Sequence, residues 1–167
     1  MEEITRYGGK HSFSLLWRFN PEWYGLIGSR CNKCGTLHYP RRMVCVYPCN
    51  SHDLEDVPLN HTGRIRYAGL NRRGTEGYVD MQPQVFATIK LDDGPHLVGE
   101  IVNLPLFFIQ ESILNQSLMG KLVGAKVRMV IRRFRKHDNG DITYGHKFEI
   151  MDKISCKNTE TQGPKPF

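Results

Sequence analysis

The 167-residue sequence contains no apolar run close to the ~18 residues that a membrane-spanning helix requires. Its first ten residues, MEEITRYGGK, include two acidic side chains and lack the apolar core of a secretory signal. These two absences predict a soluble, cytoplasmic protein. A hydrophobic share of 40% is enough to build a folded core, so wholesale disorder is not expected.

Familiar catalytic signatures are also missing. The sequence has no glycine-rich phosphate loop, no GxSxG elbow, no HExxH helix and no evident carboxylate pair. The isolated Cys156, within the segment KISCK, has no neighbouring base that could activate it. We interpret Cys156 as a packing residue and predict no catalytic residue, so the chain is not expected to be an enzyme on its own.

Four of the five cysteines are clustered within nineteen residues, in a compartment where disulfides are not expected. They form two pairs, one of the pattern CxxCG and one of the pattern CxxxC. Zinc prefers four tetrahedral ligands, and a CxxCG turn curls the chain around the metal because glycine tolerates positive φ. We therefore predict one structural zinc ion per chain, bound by Cys31, Cys34, Cys45 and Cys49.

Alternatives to this four-cysteine site remain open. The second pair is one residue longer than a usual zinc knuckle, and Pro48 could shape the wider turn. His38 and His52 lie nearby and could replace a sulfur, although ordinary polar roles are favoured for both. Four incidental buried cysteines would also explain the composition, but not the clustering.

Residues 60–151 show the period-two alternation of apolar and polar residues that is typical of strands. Turn sequences separate the strands, including Asp92-Asp93-Gly94. A helical pattern at Ile109, Ile113, Leu114 and Leu118 falls between the third and fourth strands, with Gly120 as its expected C-cap. The strands are expected near residues 64–67, 85–91, 97–102, 126–131 and 142–150.

Five strands with a helix between the third and fourth favour an OB-fold barrel. The fold is therefore predicted to be mainly β, with a short helical segment and a zinc ribbon ahead of the barrel. The expected parts are a helical lead-in at 1–28, the ribbon at 29–52, the barrel at 60–155 and a flexible tail at 156–167.

The net charge of +6 is concentrated in the last third of the chain, where residues 121–167 carry eleven Lys/Arg against five Asp/Glu. Such a patch suits nucleic acid, a phosphorylated cofactor or an acidic protein surface, and it equally suits a solvated strand face. The excess centres on Arg128, Arg132, Arg133, Arg135 and Lys136.

In this order of parts, the chain resembles a family of acyl-CoA-associated proteins in which a rubredoxin-like zinc ribbon precedes an OB fold. The resemblance extends from about Phe13 to Met151. It is carried by the CxxCG turn, by Tyr39-Pro40-Arg41, by Gly63-Arg64-Ile65 and by Gly124-Ala125-Lys126-Val127. The CxxxC spacing departs from the commoner CxxC of the family at Cys49.

The resemblance implies a non-catalytic partner of a thiolase-fold enzyme. Such partners accompany archaeal thiolase with hydroxymethylglutaryl-CoA synthase, steroid side-chain lyases, phloroglucinol acetyltransferase and benzoylsuccinyl-CoA thiolase. On this reading, acyl-CoA could lie at the shared interface, with Arg72-Arg73 or the cluster from Arg132 to Lys136 near its phosphates. The aromatic residues Trp17, Trp23 and Tyr24 could anchor the partner or cap the chain's own core.

A nucleic-acid-binding module is the competing hypothesis, because zinc ribbons and OB folds also occur in such proteins. An OB surface of this kind stacks bases on aromatic side chains of its second and third strands. Those predicted strands offer only Phe86, and residues 61–120 carry one more acid than base. The accessory role is therefore preferred.

Overall fold

The computed structural model describes residues 20–74, 78, 81–136, 140 and 142–151. Within these ranges, no helix combines the length and apolarity needed to cross a membrane. Residues 20–25 form helix α1, Leu106–Leu114 form helix α2, and a 3-10 segment follows over Gln116–Leu122. The strands are β1 (Ile27–Cys31), β2 (Leu37–His38), β3 (Leu54–Pro58), β4 (Thr62–Asn71), β5 (Gln84–Leu91), β6 (His96–Val102), β7 (Lys126–Lys136) and β8 (Ile142–Ile150).

The first three strands form a small antiparallel sheet in the order β2-β1-β3. Residue Ser29 pairs with His38 on one side of β1, and Cys31 pairs with Leu54 on the other. Gly28 is required in β1, because a Cβ there would lie 2.5 Å from the His38 carbonyl oxygen and 2.9 Å from the Leu59 side chain.

The last five strands form a closed barrel in the order β4-β5-β6-β8-β7. Pairing of Gly63 with Val127 helps to close the barrel, and β6 with β8 is its parallel pair. In β5 the apolar residues at alternate positions, Val85 to Leu91, are buried, while the three residues between them are partly exposed. The prediction of a mainly β chain with a five-stranded barrel and a helix between its third and fourth strands is confirmed.

The helical connection differs from its predicted form. Helix α2 begins directly after Pro105 and ends at Leu114, and the extended Asn115 then caps the 3-10 segment by accepting a hydrogen bond from the Ser117 amide. Gly120 lies inside that segment, so its predicted C-cap role was wrong. The reason is that an asparagine side chain can cap a new turn. The helix then ends before the apolar residues at helical spacing end.

The ribbon sheet and the barrel share one apolar core. Leu26 and Leu59 are fully or almost fully buried within the barrel's core cluster, and the Leu59 amide donates to the Leu26 carbonyl at 3.1 Å. The Nδ1 atom of His146 on β8 lies 3.2 Å from the Trp23 carbonyl oxygen. The His146 and Tyr39 rings pack edge to face, with their centroids 6.1 Å apart. These contacts fix the ribbon against the barrel.

A buried ion pair joins β6 and β8. The Lys147 ammonium lies 2.6 Å from a Glu100 carboxylate oxygen, and the two side chains are only 4% and 12% exposed. The Gln84 amide donates to the same carboxylate oxygen at 3.2 Å. A buried charge is tolerated when it is paired and hydrogen-bonded, as both are here.

Candidate metal centre

The first cysteine pair lies on a tight turn at the end of β1. The Gly35 amide donates to the Cys31 carbonyl at 2.8 Å, and the Cys31 amide donates to the Thr36 carbonyl at 3.0 Å. Gly35 has a φ of 72°, the left-handed conformation that glycine adopts without strain. The glycine of the CxxCG motif therefore lets the chain reverse so that Cys31 and Cys34 share one side of the turn.

The second pair lies on a wider turn between β2 and β3. The Cys45 amide donates to the Ser51 carbonyl at 2.9 Å, and the Cys49 amide donates to the Val46 carbonyl at 3.1 Å. Asn50 follows with a φ of 47° and also donates to Val46. These bonds close the four-residue spacing into a compact turn, so the longer CxxxC pair still directs both sulfurs toward the first turn.

All four sulfur atoms come together, with every pair within 4.8 Å. The Sγ atoms of Cys34 and Cys45 are 3.5 Å apart, and those of Cys31 and Cys49 are 3.7 Å apart. Four sulfurs bonded at ~2.3 Å to a tetrahedral zinc ion would lie about 3.8 Å from one another. The four thiols thus fit a tetrahedral metal ion, and a soft four-thiolate set favours zinc or iron over magnesium or calcium.

The four thiols differ in acidity. Hydrogen bonds with the Thr36 hydroxyl and amide lower the pKa of Cys34 to about 6. Burial, together with the adjacent thiol of Cys34, raises the pKa of Cys45 to about 12. A metal ligand must be a thiolate, so metal entry would release the proton of the Cys45 thiol.

The two histidines near the cluster have different positions. Buried His38 on β2 lies with Nε2 3.4 Å from the Cys45 Sγ. When Cys45 is a thiolate, the bond requires Nε2–H as the donor, because the sulfur then has no proton. His52 is exposed and has no described contact to the cluster. His38 therefore supports a ligand, and the four sulfurs remain the ligand set that the geometry favours.

The Tyr39-Pro40-Arg41 motif connects the metal centre to its surroundings. Arg41 donates from Nε to Glu22 of α1 at 2.6 Å and from Nη1 to Asp56 of β3 at 2.8 Å. The Tyr39 hydroxyl donates to the Glu22 carbonyl at 3.4 Å, and burial raises the pKa of Tyr39 to about 12. The motif thus joins helix α1, the ribbon and, through His146, the barrel.

The other residues that the sequence singled out are distributed over the molecule. Cys156 and Trp17 lie outside the described residues. The Trp23 side chain is half-buried and Tyr24 is 41% exposed. The Arg72 guanidinium donates to the Ile113 carbonyl at the end of α2, which gives this arginine a structural contact.

Sequence reasoning missed two features of the ribbon. The contact between His38 and Cys45 depends on the pairing of β1 with β2, which spacing alone does not specify. The second turn also presents large apolar side chains to solvent, with Met43 88% and Tyr47 85% exposed. The available signal was the run MVCVY around Cys45, which has no charged residue.

Comparison with known proteins agrees with this architecture. Residues 24–55 match the family model described as "ChsH2, rubredoxin-like zinc ribbon domain". The chain aligns with the solved structure titled "Ltp2-ChsH2(DUF35) aldolase" over 90% of its own length and 98% of that chain, with a TM-score of 0.57 and 19% identity. At that identity the likeness shows the fold.

Curated relatives cover most of the sequence. A DUF35 domain-containing scaffold protein of Methanocaldococcus jannaschii is 31% identical over 81% of this chain and 89% of its own length. One from Methanothermobacter thermautotrophicus is 30% identical over 80% of this chain and 92% of its own. Benzoylsuccinyl-CoA thiolase subunit BbsA of Thauera aromatica is 31% identical over 42% of this chain and 54% of its own. The chain therefore belongs to the DUF35 family of zinc-ribbon proteins.

Proposed function

We propose that this chain is a non-catalytic, zinc-binding accessory subunit of a thiolase-type acyl-CoA acyltransferase complex. The observation that carries the proposal is the closed cluster of four sulfurs, all within 4.8 Å, in a chain related over most of its length to proteins named as scaffolds. The relative named as a thiolase subunit indicates the class of partner.

The metal in this proposal is structural zinc, one ion per chain. Four protein ligands complete a tetrahedron and leave no position for water or substrate, in contrast to catalytic zinc sites with three protein ligands. The ion would be held by Cys31, Cys34, Cys45 and Cys49, and its binding would stabilise the two turns. His38 beside Cys45 does not form a catalytic dyad here, because the Cys45 sulfur is buried and belongs to the ligand set.

The chemistry is assigned to the partner subunit. A thiolase-type reaction needs a nucleophilic cysteine, groups that transfer protons and an oxyanion hole. In the proposed complex the thiolase-fold subunit supplies these groups, while this chain supports assembly and acyl-CoA handling. On β7, Arg132 and Lys136 are exposed and are the candidates to meet acyl-CoA phosphates at a shared interface.

Co-purification tests the proposal. The tagged chain, expressed in its native host, should retain an untagged thiolase-fold protein, and the assembled complex should show acyl transfer that neither protein shows alone. Cys156→Ala should leave this activity nearly unchanged, since that cysteine has no assigned chemistry. Full acyltransferase turnover by the isolated chain would contradict the accessory role.

One surface favours a second candidate function, nucleic-acid binding. On the β7–β8 hairpin Phe134 is 44% and Tyr144 is 47% exposed, and Arg132 and Lys136 lie on the same hairpin. Exposed rings beside cations can stack bases and contact phosphates. We expect titration of single-stranded RNA and DNA at physiological salt to give nothing tighter than the ~10⁻⁴–10⁻⁶ M of non-specific binding. Submicromolar, salt-resistant binding that Arg132→Glu/Arg133→Glu abolishes would instead establish this second function.

A further inference from the structure

The turn that carries the second cysteine pair exposes four apolar side chains that are close together in the sequence. Met43 and Tyr47 are 88% and 85% exposed, and the shorter Val44 and Val46 are 38% and 41% exposed. We name these four residues the knuckle patch. Within the described part of the chain, the Tyr47 ring makes no hydrogen bond or ring contact. Contiguous exposed apolar side chains are uncommon on soluble surfaces and mark sites of interaction.

The knuckle patch is built around one member of the cysteine cluster. Cys45 lies at its centre, is only 4% exposed, and has its sulfur 3.5 Å from that of Cys34. The Val46 carbonyl accepts hydrogen bonds from both Cys49 and Asn50, which closes the turn that contains Tyr47. The metal ligands thus fix the backbone on which the patch is displayed, and such pre-organisation lowers the entropy cost of binding.

Two basic side chains on the turns that carry the cysteine pairs have no acidic partner among the described residues. Residues 31–52 contain three Lys/Arg and no Asp or Glu. Arg41 is paired with Glu22 and Asp56, whereas exposed Lys33 and Arg42 form no ion pair with any residue that the structure describes. A four-thiolate zinc site carries a net charge of −2 beneath the turns, but these two cationic heads reach solvent at the rim.

We propose that the knuckle patch is the surface through which this chain docks onto the thiolase-fold subunit. The occupant is an apolar depression on that subunit, bordered by carboxylates that face Arg42. Aromatic residues, methionine and arginine are enriched at protein interfaces, and tyrosine and arginine are also enriched among hot spots. The inference rests on the proposed function and adds to it the contact surface and a reason for the metal.

Other occupants fit the surface less well. A second copy of this chain would bring four cations, Lys33 and Arg42 of each copy, into one interface, because a two-fold interface pairs one patch with itself. An anionic membrane would meet only two cations and four apolar side chains, two of them valines. Even a whole myristoyl chain gives only marginal membrane binding. A complementary protein surface is therefore the occupant that the observations favour.

The test uses the double variant Met43→Ser/Tyr47→Ser in the full chain. Its zinc content and melting temperature should match the wild type, because both side chains are exposed. Its affinity for the purified thiolase-fold subunit should fall by more than about thirtyfold, as hot-spot truncation predicts. The matched control is Leu106→Ser/Leu114→Ser on α2, where side chains 70% and 90% exposed are altered in the same way. The control should bind like the wild type.

The outcomes separate this inference from the proposed function. If the wild-type chain binds no thiolase-fold subunit, the proposed function fails and the inference fails with it. If the wild type binds and the Met43/Tyr47 variant binds equally well, or only the α2 variant loses binding, the docking surface is wrong while the accessory role stands. Phosphatidylserine vesicles provide a separate arm. Vesicle binding at physiological salt that only the Met43/Tyr47 variant loses, with assembly intact, would assign the patch to membranes and overturn the proposal.

Discussion

The Nε2 atom of His38 lies 3.4 Å from the Sγ atom of Cys45, inside the ribbon and away from solvent. A hydrogen-bond donor to a metal-bound thiolate orients the ligand and tunes its basicity. Loss of such a supporting group commonly lowers metal affinity by about 10- to 100-fold. We therefore expect His38→Ala to weaken zinc binding by about 10- to 100-fold. Competition with a chromophoric chelator measures this, and exposed His52→Ala serves as the matched control. Equal affinities for both variants would contradict the assignment.

Replacement of a ligand should have a larger effect. Cys34→Ser removes one of the four thiolates, so the purified variant should contain almost no zinc, against one ion per chain in the wild type. The ribbon should lose its fold because the free energy of metal binding is part of its folding free energy. Elemental analysis and near-ultraviolet circular dichroism measure both effects. A folded wild-type protein that contains no metal would refute the site.

The stability of the fold should depend on pH through His146. Burial lowers the pKa of His146 below its ordinary 6.5, despite an opposing hydrogen bond with the Trp23 carbonyl. Because the unfolded chain then takes up a proton more readily than the folded chain, stability is complete above about pH 6.5 and declines as pH falls toward the folded pKa. Below the folded pKa the decline ends.

Denaturant unfolding between pH 7.5 and 5 measures this dependence. His146→Gln should show a shallower loss of stability with acid than the wild type, because the buried titrating group is gone. The exposed His96→Gln provides the matched control and should keep the wild-type slope. Identical slopes for all three proteins would show that His146 is not the titrating group.

Removing one member of the buried pair of Lys147 and Glu100 should destabilise the fold, because the other charge then stays buried without its partner. Lys147→Met leaves the Glu100 carboxylate buried with only the Gln84 amide as a described partner, and such a loss costs about 3–5 kcal/mol. The double variant Lys147→Met/Glu100→Leu removes both charges and should recover most of that stability. Urea unfolding of both variants checks the expected non-additivity. A double variant as unstable as the single one would contradict it.

The sequence alone specified the features that depend on residues close together in the chain. The CxxCG turn requires only a glycine with positive φ at position 35. The alternation of buried and partly exposed residues from Val85 to Leu91 requires only a strand that buries one face. Such features depend on neighbours a few residues apart. The order of ribbon, strands and helix could therefore be predicted. Element ends were less accurate: β4 and β7 are longer than expected, and Asn115 interrupts the apolar pattern of the helix.

Only the tertiary structure decided which distant residues meet and which side chains remain exposed. Lys147 and Glu100 are 47 positions apart and become partners because β6 and β8 pair in parallel within the closed barrel. The sulfur of Cys45 is buried while Met43 and Tyr47, two residues away on either side, are exposed, because the turn directs the ligand inward and its neighbours outward. Residue type and spacing identified the four sulfurs, whereas strand pairing and chain reversal placed His38 beside them and the knuckle patch on the surface.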